Sequence, residues 1–146
     1  MKHLIILLLI VINSSVGFAA EGGAYIGSVK TVSGSCFVIR QSETMPAVVG
    51  LRLIRQDILQ TGKNSYMGII LRDNSLLSIG AETKLELSSF DFDPNEKKLG
   101  FTSRLIRGTL VYLTGIMTKL NKDSVKIITP TAVVGVRGTK IAIKAE

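Results

Sequence analysis

From residue 24 onward the apolar positions fall in short clusters broken by glycine, asparagine, aspartate and serine. No window sustains the three-and-four spacing of an amphipathic helix, so the pattern predicts strands. They fall at 24–32, 35–41, 66–72, 76–79, 84–89, 97–106, 109–113, 125–129 and 139–144. Turn residues bound many of them at spacings of about 8–12 residues, the rhythm of an all-β domain. In Lys84-Leu85-Glu86-Leu87-Ser88 the leucines face a core and the charges face water. The stretches 125–128 and 140–144 follow the same logic, whereas the nearly continuous apolar run 67–71 predicts a strand covered on both faces. The expectation is an all-β fold, a single compact domain of short strands, solenoid-like or a sandwich or barrel. Its turns include Asp73-Asn74, two residue types that tolerate left-handed backbone, and Asp93-Pro94-Asn95.

The first twenty residues follow a different pattern. Lys2 precedes an unbroken apolar stretch from Leu4 to Ile12, which the polar Asn13, Ser14 and Ser15 end before it reaches the roughly 20 residues of a membrane span. Gly17-Phe18-Ala19 then places small residues where a signal peptidase needs them. The reading is a signal peptide over 1–19 and a domain over 20–146, periplasmic or secreted, with no membrane span in the mature protein.

Composition agrees with a folded domain: 46% of residues are hydrophobic and 20% charged. Eighteen Lys and Arg against eleven Asp and Glu give a net charge of +7 and a basic surface suited to anionic partners. The cations are scattered and no aromatics are interleaved with them, so no nucleic acid is expected. The single cysteine, Cys36, rules out an internal disulfide and any multi-cysteine metal site, and its strand-like setting predicts a buried small hydrophobe.

Catalytic readings thin out quickly. The one histidine, His3, lies in the leader, which removes histidine-based nucleophilic catalysis from the mature protein. Thr61-Gly62-Lys63-Asn64 has the end of a phosphate loop but lacks its earlier glycine, and reads as a turn. Asp91-Phe92-Asp93-Pro94-Asn95 starts like a calcium loop, but Glu96 and Thr102 occupy the places of the required glycine and closing glutamate. No catalytic residue, cofactor or metal site is assigned. A carboxylate pair drawn from Asp57, Asp73, Glu82 and Glu86 is the one remaining enzymatic possibility, with nothing in the spacing to favour it.

The most distinctive segment is 129–139, in which Gly135 and Gly138 bracket Arg137 after an apolar run that follows Pro130. One reading is a structural corner: the glycines allow a sharp bend or close packing, and Arg137 pairs with a buried carboxylate. The other is an interaction site in which Arg137 recognises an anion. Pro130, Gly135, Arg137, Gly138 and Thr139 are therefore the candidate residues, with a preference for the structural role.

At this segment the chain resembles the FecR domain family of bacterial envelope proteins. The likeness rests on Thr129-Pro130, Ala132 and Gly135-Val136-Arg137-Gly138-Thr139, and upstream on Asp57-Ile58-Leu59-Gln60-Thr61-Gly62, Ser65, the run 69–79 and Arg107-Gly108-Thr109-Leu110. Gln56 and Asn74 stand where the family usually has glycine. Family members that regulate iron uptake join a cytoplasmic sigma-factor-binding segment, one span and a periplasmic sensing domain; the present chain resembles the last part alone, a stand-alone form. The resemblance implies an exported, non-enzymatic module acting through protein or ligand contacts in envelope sensing. The partner would be an envelope protein or an anionic envelope polymer. A structural or polymer-binding envelope protein and a carboxylate-based hydrolase are the other classes.

Overall fold

The computed structural model describes residues 25–146; the signal-peptide reading of 1–19 lies outside them. Twelve strands form one curled, mostly antiparallel sheet, a half-barrel with two leaves facing each other across the core. The strands are β1 (Tyr25–Ser33), β2 (Cys36–Arg40), β3 (Glu43–Pro46), β4 (Arg52–Ile54), β5 (Ile58–Thr61) and β6 (Tyr66–Leu71). There follow β7 (Leu76–Ile79), β8 (Lys84–Asp93), β9 (Lys98–Leu113), β10 (Val125–Ile128), β11 (Val133–Gly135) and β12 (Lys140–Ala145). A five-residue helix, α1 (Ile116–Leu120), sits between β9 and β10. Among the described residues no helix is long and apolar enough to cross a membrane.

The long strand β9 organises both leaves. Along one edge β8 pairs with its first part and β7 with its last; along the other, β10 covers Phe101 to Arg104 and β12 covers Gly108 to Leu113. The sequence pattern divides this stretch into two strands, 97–106 and 109–113, and the structure shows one strand whose inward alternation changes phase: Phe101, Leu105 and Leu110, Tyr112 are all buried. A bulge reconciles the two phases. The register jumps from Leu85↔Leu105 to Lys84↔Arg107, so Ile106 has no opposite residue and the chain continues unbroken with its apolar residues still facing inward.

Among the places where the chain passes from one leaf to the other, four carry a glycine at the crossing: Gly34, Gly62, Gly80 and Gly108. Hydroxyl groups tie the crossings together. The Thr61 hydroxyl donates to the Gly80 carbonyl at 2.6 Å and accepts from the Thr83 N–H at 3.0 Å, and the Thr83 hydroxyl accepts from the Thr109 N–H at 3.0 Å. At the first crossing the Ser65 hydroxyl accepts from the Ser35 N–H at 2.8 Å. These hydroxyls satisfy backbone groups that a bending sheet would otherwise bury unpaired.

Between the leaves lie Val38, Leu53, Leu59, Met67, Leu77, Leu85, Leu87 and Ile127, with Phe90 edge-on to Phe101 at a centroid distance of 5.9 Å and Phe101 stacked on Tyr112 at 6.1 Å. Cys36 is buried among them. Strand β6 does not meet the expectation of two covered faces: Met67, Ile69 and Leu71 are buried but Gly68 and Ile70 are half-exposed, because the leaf's outer face has no second layer.

Candidate functional site

Segment 129–139 leaves β10 through a tight turn. The Thr129 N–H donates to the Ala132 carbonyl at 2.8 Å, and the Ala132 N–H donates to the Thr129 hydroxyl at 3.1 Å, with Pro130 as the first turn residue. Strand β11 then pairs with β10 alone, Ile128↔Val133 to Lys126↔Gly135. Val136, fully buried with its N–H donating to the Val125 carbonyl at 3.1 Å, anchors the segment to the core. Val136 is not among the candidate residues drawn from the sequence, although it stands inside the motif Gly135-Val136-Arg137-Gly138 as its one apolar side chain.

Two expectations about this corner do not hold. Arg137 pairs with a carboxylate, Asp123, at 2.8 Å, but the two side chains are 74% and 71% exposed, so no buried charge depends on it. The glycines answer no steric demand either: a Cβ at Gly135 would meet nothing within 4 Å, one at Gly138 nothing nearer than 3.8 Å, and neither has a left-handed backbone. Thr139 is exposed and contributes its carbonyl to the Thr114 N–H at 3.0 Å. The corner is held by its turn, by Val136 and by Val134 packed partly against the core, while Pro130, Thr131, Val133, Arg137 and Thr139 are exposed.

Clefts flank it. Because β10 stops opposite Arg104 and β12 ends opposite Gly108, residues 105–107 of β9 have no strand beside them on that edge. A mostly apolar cleft of about 390 Å³ opens there, lined by Arg104, Leu105, Ile106, Ile128, Thr129 and Pro130. A second, of about 270 Å³, lies between Thr129, Pro130, Thr131 and the end of β12 at Lys144 to Glu146. Pro130 borders both, and Val133 stands 66% exposed nearby.

Asp73 and Asn74 occupy the β6–β7 turn, with Asn74 at φ 66°. Asp73 does more than turn the chain. Its buried carboxylate accepts from the Ser75 N–H at 3.1 Å, the Ser75 hydroxyl at 2.7 Å and the Met117 N–H at 3.3 Å, while its carbonyl accepts from the Ile116 N–H at 2.8 Å. Gly115, the residue before α1, has no capping side chain, so Asp73 caps the helix from a distant turn. Tyr112 donates to the Ser75 hydroxyl at 2.9 Å. Burial holds its phenol well above the ordinary tyrosine range, with the Asp73 charge adding to the effect and the Ser75 hydrogen bond opposing it.

Asp57 is fully buried and paired bidentately with Arg40, at 2.8 Å from Nε and 2.7 Å from Nη2, and accepts the Ile54 N–H at 2.9 Å. The carboxylate bonds raise the Arg40 guanidinium's affinity for its proton. Arg40 also donates to the Arg52 carbonyl at 2.9 Å, so one ion pair joins β2, β4 and β5. Gln56, at the position where the family favours glycine, has φ 68°. Of the carboxylates considered for acid–base chemistry, Asp57 and Asp73 are thus consumed by structural bonds at different turns. Asp91, the first residue of the calcium-loop-like stretch, is engaged by Arg55 at 2.6 Å.

Compared with known proteins, the sequence profile described as FecR protein matches residues 57–146. No curated protein and no solved structure matches the chain. The matched region begins at buried Asp57, runs through the hydroxyl-bonded crossings and the Asp73 turn, and includes the whole exposed corner.

Proposed function

The chain belongs to the FecR protein family, and on that premise we propose that it is an exported module of the bacterial envelope that senses or regulates by contact, with the 129–139 corner as its contact face. The observation that carries this reading is the corner's outward composition. Arg137 and Val133 are both exposed within one segment, and Pro130 borders two clefts, while from this stretch the core takes Val136 fully and Val134 in part. An exposed cation and an exposed apolar group on one segment bordered by clefts support docking of a partner segment that offers both a carboxylate and an apolar side chain. Buried Asp57 and Asp73 are occupied in holding turns, which supports a non-enzymatic role for them.

Site-directed crosslinking tests the reading. Cys36 is buried, so a Thr131→Cys variant carries one accessible thiol for a photo-crosslinker. In cells the expected result is one discrete adduct with an envelope protein, diminished by Arg137→Ala, together with recovery of the protein outside the cytoplasm. Equal adducts from a control Asn95→Cys in the β8–β9 loop, or recovery from the cytoplasm, would refute it.

A further inference from the structure

A second polar feature lies on the outer surface at the leaf crossings, among residues separate from the corner. Leu59, Thr61, Leu85 and Leu87 face the core, so Gln60 and Lys84 face outward; the bulge at Ile106 turns Arg107 outward as well. Register sets Gln60 opposite Lys84 and Lys84 opposite Arg107. Beside this row the crossings at Gly62 and Glu82 enclose an open cleft of about 580 Å³, lined by Gln60, Thr61, Gly62, Lys63, Glu82 and Arg107. That volume lies within the roughly 300–1,000 Å³ of small-ligand sites.

Cations outnumber carboxylates here, with Glu82 the one acidic residue lining the cleft. Like charges directly opposite on neighbouring strands destabilise a sheet, and here Lys84 faces Arg107. Five ion pairs occur among the described residues, and none includes Lys63, Lys84 or Arg107. An anion seated between these cations relieves their repulsion and gains the planar guanidinium as a two-pronged donor. Glu82 narrows the choice. A ligand that is anionic throughout meets its carboxylate unfavourably, whereas hydroxyl groups donate to it and to the Gln60 amide oxygen. A neutral sugar, in turn, leaves the Lys84–Arg107 repulsion in place. The floor of the cleft is fixed before any ligand arrives, since Thr61 bonds to Gly80 and Thr83 beneath it.

We propose that this cleft binds an anionic carbohydrate, a sugar acid or sugar phosphate, with Arg107 and Lys63 holding the anionic group, Gln60 and Glu82 the hydroxyls, and Lys84, opposite Arg107 on the neighbouring strand, adding positive charge beside the cleft. Titration calorimetry at low salt tests it with four probes: trigalacturonate, glucose phosphate, tripolyphosphate and hexaglutamate. The expected result is binding of trigalacturonate or glucose phosphate, the two distinguishing a carboxylate from a phosphate source, in preference to the other probes. Loss of a charge-assisted hydrogen bond in Arg107→Gln or Lys63→Gln should weaken it on the order of tenfold, and Lys84→Gln, beside the cleft, should weaken it less. Glu82→Gln should weaken the sugar ligand and strengthen tripolyphosphate. Lys119→Gln, on α1, should change neither, and melting curves establish that each variant is folded. Failure of both sugar probes to bind, tripolyphosphate or hexaglutamate binding as tightly as they do, or an equal loss in Lys119→Gln would overturn the proposal. The crosslinking outcome at the 129–139 corner bears on none of these results.

Discussion

Arg-Gly-Thr occurs twice in the chain, at 107–109 within β9 and at 137–139 just before β12, and those two strands pair with one another. Their surroundings differ completely. Gly108 has φ +97°, and a Cβ there would lie 2.5 Å from the Thr83 Cα and 2.6 Å from its Cβ. Gly138 has open space around it and no left-handed backbone. Thr109 gives its N–H to the Thr83 hydroxyl deep in the leaf crossing, whereas Thr139 bonds an exposed loop residue. The same three residues serve a bend in one place and leave a surface in the other. Tripeptide identity alone therefore does not separate a folding requirement from a contact face; the neighbour across the sheet does.

The sharpest way to break this comparison is to put the same side chain at both glycines. Gly108→Val forces a β-branched residue into left-handed backbone and into Thr83, and should destabilise by about 3–5 kcal/mol, the sum of backbone strain and overpacking. Gly138→Val should cost under about 1 kcal/mol, as surface changes do. Urea unfolding of the pair measures the difference. Comparable losses would mean that the 137–139 segment is packed more closely than its geometry indicates.

The two arginine–aspartate pairs extend the contrast. Arg40→Ala strands the carboxylate of fully buried Asp57, which keeps only the Ile54 N–H among its strong donors. Complete burial would place the loss near 3–5 kcal/mol; because Arg40 itself is 27% exposed and water can replace part of it, about 2–3 kcal/mol is expected. Replacing both residues, Arg40→Met with Asp57→Leu, should recover part of that loss. If Arg40→Ala melts with the parent, the buried pair is not a clasp between β2, β4 and β5.

How much of this was legible in the sequence depends on the range of the interaction. Strands with clean alternation, such as β10 and β12, begin and end within a residue or so of the pattern-based limits, since inward and outward positions follow from the residue types alone. Strand β3 escaped because its hairpin turns on Gln41 and Ser42, at φ 49° and 68°, where the usual signal is Asn-Gly. Short β4, β5 and β11 leave too few residues for a period to register. At β9 the expected division into 97–106 and 109–113 does not hold, because a bulge shifts the alternation without ending the strand. Alternation also failed to reveal that β6 has only one covered face, since the number of layers is a property of the whole sheet. At the sites, the Asp73 turn was visible locally, but its helix-capping role and the Arg40 partner of Asp57 depend on contacts 44 and 17 residues apart.

A smaller effect separates the Asp73 turn from the surface by pH. Tyr112 keeps its proton in the folded protein to higher pH than in the unfolded chain, where the ordinary value is about 10. Its contribution is complete below that value. As pH rises above it, the unfolded chain loses the phenol proton while the folded one retains it, so stability falls by up to about 1.4 kcal/mol per pH unit until the raised folded value is reached. Tyr112→Phe should be less stable than the parent at pH 8, for want of the Ser75 hydrogen bond, yet lose less stability as pH climbs through 10 to 11. Parallel stability curves for the two proteins over that interval would show that Tyr112 is not the titrating group.

The smallest expected change is at Arg137, and its smallness is what makes it informative. The side chain is 74% exposed and its partner Asp123 71%, so water and salt screen their attraction, and both long side chains lose freedom in holding it. Arg137→Ala should therefore alter unfolding stability by no more than about 0.5 kcal/mol. A double-mutant cycle with Asp123→Ala should return a coupling of only about 0.2–1 kcal/mol, shrinking as salt is raised. Under the contact-face reading, the same Arg137→Ala substitution diminishes crosslinking from position 131, because an exposed cation costs little to remove from the fold and more to remove from a docked partner. A loss above 1.5 kcal/mol would return Arg137 to the structural role that the sequence favoured. Unchanged stability with undiminished crosslinking would instead leave Val133 and Pro130, with their flanking clefts, as the part of the corner that a partner recognises.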